Sequence, residues 1–89
     1  MKAIVTVVGK DRVGIIAAVC VKLAEYNVNV LDISQTVMQG YFTMMMATDV
    51  SQCNLPLAEL VSAMDAVGKE MGLSIRVQRE DIFEAMHRI

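Results

Sequence analysis

Twice along this chain an apolar segment of period two hands over to an apolar stripe of period 3.6 and then returns to period two. That repeated change of period limits the fold more than any other feature. Residues 2–8 (KAIVTVV) are β-branched or apolar at nearly every position, the pattern of a strand in the middle of a sheet. Gly9-Lys10-Asp11-Arg12 breaks it. Ile16, Val19, Cys20 and Leu23 then fall at i, i+3, i+4 and i+7, so the spacing predicts an amphipathic helix over about residues 12–26, stopped in Asn27-Val28-Asn29. Residues 30–38 alternate, with Leu31, Ile33 and Val37 on one side and Asp32, Ser34 and Thr36 on the other, which predicts a strand with one solvated face. Gln39-Gly40 is a hairpin turn, and residues 41–50 return antiparallel.

The second half repeats the order. Residues 51–54 form a polar loop. Leu57, Leu60, Val61, Met64, Val67 and Met71 keep helical spacing, Pro56 fits the first turn, and Gly72 ends the helix. Residues 73–78 (LSIRVQ) alternate as a fourth strand. Residues 80–88 carry Ile82, Phe83 and Met86 as a short amphipathic tail helix. The order β-α-β-β-α-β predicts an α+β, ferredoxin-like fold: a four-stranded antiparallel sheet with two helices on one face plus a short C-terminal helix. The first and third strands, the most apolar, belong in the centre, and the second and fourth are edges. One domain over 1–89 is expected, with 1–79 as the βαββαβ core and 80–89 as the tail helix.

Composition narrows the function. The chain is 55% hydrophobic with mean hydropathy +0.48, more apolar surface than a small core readily hides, so a second subunit is expected to cover some of it. The net charge is −2 and lysine and arginine form no cluster, which argues against nucleic acid and anionic membranes. Cys20 and Cys53 form no CxxC, and no apolar run has the length of a membrane span; both point to the cytoplasm. Met44, Met45 and Met46 alternate faces on a strand and cannot converge on one metal ion. His87 has no cysteine or histidine at ligand spacing, and no cofactor is expected.

The chemistry concentrates between the first strand and the first helix, at Gly9-Lys10-Asp11-Arg12-Val13-Gly14. Bare N–H groups and the positive end of a helix dipole meet there, as a carboxylate or phosphate would need. Each residue also has a plainer role. Asp11 serves equally as the helix N-cap, Arg12 as a solvated first-turn charge, and Gly14 as a point of close helix–sheet packing. Asn29 serves equally in the helix-exit turn.

The run from Gly9 to Ile16, followed by Leu23-Ala24-Glu25-Tyr26-Asn27-Val28-Asn29-Val30, resembles an ACT domain. The loop D-R-V-G-hydrophobic, the spacing from Gly14 to Asn29 and the order of elements all match. Small stand-alone ACT proteins and the regulatory proteins of the glycine cleavage system are similar. The resemblance implies a regulatory module without catalytic activity that binds an amino acid or another small metabolite. It also implies a homodimer joined sheet to sheet, with ligand held between the first loop of one subunit and the second strand of the other. Carried over, the contact positions are Asp11, Val13, Gly14, Asn29, Val30 and Leu31, flanked by Lys10 and Arg12. Two departures stand out: Gly9 where amino-acid binders often have a polar side chain, and Asp11 where they often have Asn. A carboxylate at 11 attracts an ammonium group and repels a carboxylate.

Other functions on this fold fare worse. An acylphosphatase-like hydrolase needs an asparagine paired with its loop arginine, and none stands at suitable spacing. A metal carrier needs loop cysteines, and an RNA-recognition sheet needs aromatics on its first strand; both are missing. The serious rival is a protein–protein docking or dimerisation domain with no small ligand. In either case, with no catalytic domain fused, the response is expected to pass to a separate protein, for which the tail helix offers a contact.

Overall fold

The computed structural model describes residues 1–86. Its elements are β1 (Lys2–Lys10), α1 (Ile15–Glu25), β2 (Asn29–Met38), β3 (Tyr41–Asp49), α2 (Leu57–Met71), β4 (Ser74–Arg79) and α3 (Glu80–Met86). The strands form one antiparallel sheet in the order β2-β3-β1-β4. This is the ferredoxin-like arrangement, with β1 and β3 central. His87 and the rest of the predicted tail lie outside the described residues.

One face of the sheet holds the core. Ala3, Val5 and Val7 of β1 are fully buried between Phe42, Met44 and Met46 of β3 and Ile75 and Val77 of β4. Ile15, Val19 and Leu23 of α1 and Leu60, Met64 and Val67 of α2 cover them. Each large side chain buried there contributes roughly 1.5–3 kcal/mol. Thr48 is the polar member, and its hydroxyl donates to the Ala3 carbonyl oxygen at 2.8 Å.

Several expectations need correction. β1 runs two residues further than its apolar pattern, because Gly9 and Lys10 stay in the ladder opposite Phe42 and Tyr41. α1 starts at Ile15 rather than near Arg12, because Gly14 takes φ +92° and ends the loop in a left-handed turn. Gly14 is therefore the N-cap, and Asp11 is not. β2 has no solvated-versus-buried pair of faces: from Leu31 to Met38 every residue is exposed. A bulge at Leu31, between Val30 and Asp32, also breaks the simple alternation, so Leu31 does not share a face with Ile33 and Val37 by register. The helices reach over β3, β1 and β4 and leave β2 standing clear.

The hairpin turn agrees with its sequence. Gln39 and Gly40 both have positive φ (52° and 82°), the primed turn that follows strand twist. At the end of α2, Gly72 takes φ +72° and the Leu73 N–H reaches back to the Gly68 carbonyl at 2.7 Å.

This reversal brings backbone against Gly68. A Cβ there would stand 2.7 Å from the Leu73 carbonyl oxygen, which has little freedom to move. Gly68→Ala is expected to destabilise the protein by about 1–3 kcal/mol, read as a lower melting temperature. A second prediction concerns Asp49. Hydrogen bonds from the Ser51 side chain and backbone, then the nearby N-terminal ammonium, hold its carboxyl below the usual 3.8. A lowered folded pKa stabilises above the unfolded value and is lost as pH falls through the folded one. Asp49→Asn should therefore melt below wild type at pH 7, and the two curves should converge only below about pH 3.8.

Candidate functional site

The loop between β1 and α1 is tied at two points. The Asp11 N–H donates to the Gly40 carbonyl at 2.8 Å, stitching the loop to the β2–β3 hairpin. The Arg12 guanidinium donates to the Met71 carbonyl at the C-terminal end of α2, where a cation also meets the negative end of the helix dipole. Arg12 is thus neither a loose surface charge nor a wholly uncommitted clamp. Gly14 is required by its backbone angle, because a Cβ at that position would meet nothing within 4 Å. Close packing is not its role.

Between these ties lies a cleft of about 600 Å³. Asp11, Arg12 and Gly14 form its loop side, and Ile15, Ile16 and Ala17 of the first helical turn form one wall. Gln35, Val37 and Phe42 close it from β2 and β3. The first bond inside α1 runs from the Ala18 N–H to Gly14. The N–H groups of Ile15, Ile16 and Ala17 are therefore left without helical partners, and no side chain caps them. Among the described residues the Asp11 carboxylate has no hydrogen-bond or ion-pair partner either. A single cleft thus offers bare amides for an anion, a carboxylate for a cation, and an apolar floor at Phe42.

The remaining expected positions lie elsewhere. Val13 is fully exposed beside the cleft and does not line it. Lys10 pairs with Tyr41 and faces away from the core side. Asn29, Val30 and Leu31 sit at the far end of β2: Asn29 pairs with Asp49, and Asp49 with Lys2, whereas the loop follows Lys10. The eight residue steps from Lys2 to Lys10 span roughly 27 Å. Within one chain the two halves of the expected site do not meet. Asn29 instead lines a hollow of about 390 Å³ with Ala24, Asn27 and Gln52. Asn27, at φ 60°, closes the helix exit, and its side chain donates to the Gln52 carbonyl at 2.8 Å. Gln35, Val37 and Phe42 were not expected at the site. Their signal was topological: β3 beside β1 brings the hairpin up against the loop.

The profile of the ACT domain family matches residues 2–78. The chain belongs to the ACT domain family. A UPF0237 protein of Listeria innocua is 51% identical over 89 residues, the whole of both chains. The solved ACT domain protein from Streptococcus pneumoniae superposes with a TM-score of 0.83 at 45% identity, over 94% of each chain. A candidate glycine cleavage system transcriptional repressor shares the fold, with a TM-score of 0.72 at 20% identity over 86% of this chain and 44% of its own. This is a family of regulatory, ligand-binding modules, as the loop motif implied. No group of three or more metal-binding side chains occurs among the described residues, and no helix there is long and apolar enough to cross a membrane.

Arg12→Ala removes the link between the loop and α2 while leaving the apolar core untouched. It is expected to cost about 1 kcal/mol and to speed amide exchange in the last turn of α2, measured by hydrogen exchange with mass spectrometry.

Proposed function

We propose that this chain is a non-catalytic regulatory module that works as a homodimer. It binds a small ammonium-bearing metabolite, an amino acid, in the cleft beside Asp11 and signals to a partner protein. Residues 1–89 act as one ACT unit, with 1–79 as its βαββαβ core and the segment after it as an appended tail.

The observation that carries this reading is the contrast between the two sides of the molecule. β2 is a ten-residue edge strand with exposed Leu31, Ile33, Val37 and Met38, no proline, and Asp32 as its one charge. Beside it the outer face of α1 exposes Ala17, Val21 and Ala24. The opposite side is protected: β4 is six residues long and carries Arg76 and Arg79, and α2 exposes Glu59, Asp65, Lys69 and Glu70. Long, apolar, uncharged edges invite pairing, and short charged ones resist it.

Antiparallel pairing of β2 with β2 of a second copy, centred on Ser34 and with Leu31 taken up in the bulge, sets residue 29 against 38 and 30 against 37. The second copy's Asn29, Val30 and Leu31 then border the cleft beside Val37. Such pairing reunites the two halves that one chain keeps roughly 27 Å apart. The ligand ammonium meets Asp11, and its carboxylate meets the bare amides of α1. Because the ligand touches both copies, it favours the joined arrangement by its difference in affinity for joined and separate chains.

Thermal unfolding against the amino acids at millimolar concentration tests this, with sedimentation run in parallel. At least one compound should raise the melting temperature in proportion to the logarithm of its concentration. Asp11→Asn should weaken that compound about tenfold, equivalent to about 1.4 kcal/mol. Ile33→Arg should abolish the dimer and the ligand response together. A stable dimer that answers to no compound would leave the docking-domain reading in possession. A monomeric variant that still binds would overturn the shared site.

A further inference from the structure

Among the described residues, the sheet face turned away from α1 and α2 is open over its middle. Three rows cross it from β2 to β4: Asp32-Ala47-Ile4-Gln78, Ser34-Met45-Thr6-Arg76 and Thr36-Thr43-Val8-Ser74. Val8 is 41% exposed and Met45 37%, and Met38 and Tyr41 in the next row are 68% and 58% exposed. In the three rows the charges are Asp32, on one edge strand, and Arg76, on the other. Among the described residues neither has an ion-pair partner. Asp32 accepts only the Ile33 N–H, at 2.9 Å.

We propose that this face packs against the same face of a second copy, about a two-fold axis that runs parallel to the strands, between the two faces and over the middle of each sheet. Such an axis turns each row end for end over itself. Arg76 of one copy comes to rest over Ser34, beside Asp32 of the other, and Met45 comes over Thr6. At that position the face has a hollow of about 150 Å³, lined by Ile4, Asp32, Ser34, Met45 and Ala47. The incoming arginine lays its stem on Met45 and Ile4 and brings its guanidinium to the carboxylate. The flanking rows agree. Lys2 of one copy falls over Asp49 of the other, and Lys10 over Tyr41, a cation above an aromatic ring. The other in-plane axis, perpendicular to the strands, sets β2 over β2 and β4 over β4, so acid and base never meet. The charge pattern selects one occupant in one orientation.

The face measures about 19 Å by about 27 Å, or about 500 Å² per copy, below the roughly 800 Å² of a standard interface. Association through it alone is therefore weak and driven by concentration. Its axis lies between the two packed sheets over their middle, whereas the β2 pairing axis lies at the sheet edge and normal to it, and the two do not intersect. Two such axes do not close, so together they build a two-layer ribbon rather than a tetramer.

Sedimentation velocity of the full chain over a concentration series tests this. The expected wild-type result is a weight-average mass that rises past the dimer without a tetramer plateau. Arg76→Asp and Met45→Lys should each halt growth at the dimer, and the exchange Asp32→Arg with Arg76→Asp should restore it. Circular dichroism confirms that each variant is folded. If β2 pairing fails while face packing holds, the same series reads dimer for wild type and monomer for Arg76→Asp, so the two failures are distinguishable. A mass indifferent to Arg76→Asp, a closed tetramer, or a folded double exchange that does not restore growth would overturn the proposal.

Discussion

The structure depends on β1 being held on both sides. Its ladder with β3 spans Lys2 to Lys10, and its ladder with β4 spans Ala3 to Val8. The two fix a single register for the whole sheet. A slip of one residue would turn Ala3, Val5 and Val7 out to solvent and bring Ile4, Thr6 and Val8 under the helices, at a cost of several buried side chains. That register decides where the loop after Lys10 emerges, which strands stand beside it, and which residues share each row of the open face.

The loop inherits its form from this constraint. β1 ends beside the hairpin, so the Asp11 N–H finds Gly40. The chain must then turn back over the sheet, and a left-handed Gly14 provides the turn without any side-chain cap. The uncapped helix start is the chemical consequence. A serine or aspartate at position 14 would satisfy an amide of the first turn but would strain the backbone at φ +92°. The bare amides of the first turn and the glycine turn are one feature seen from two sides.

The exterior is as unequal as the interior is regular. Covering four strands with two helices of 11 and 15 residues leaves one strand over, and that strand is β2. Val30 alone of its apolar residues packs against the core beneath α1 and α2, and Leu31, Ile33, Val37 and Met38 stand exposed. They belong to surfaces that a second chain can cover. The high hydropathy of so short a chain has its physical origin there and on the open sheet face.

Sequence alone determined the kind and order of the elements, because periodicities of two and 3.6 are written into neighbouring residues and need no knowledge of distant ones. Val5 and Val7, Val19 and Leu23, and Leu60 and Met64 declared their strand or helix locally, and the loop motif declared the family. The tertiary structure decided what depends on residues far apart in the chain. The start of α1 at Ile15, the bulge at Leu31 and the exposure of both faces of β2 follow from how the helices settle on the sheet. So does the separation of Asp11 from Asn29. Both belong to one motif in the sequence, but α1 carries the chain from one end of the sheet to the other before Asn29 begins β2, and only the register shows which end each occupies.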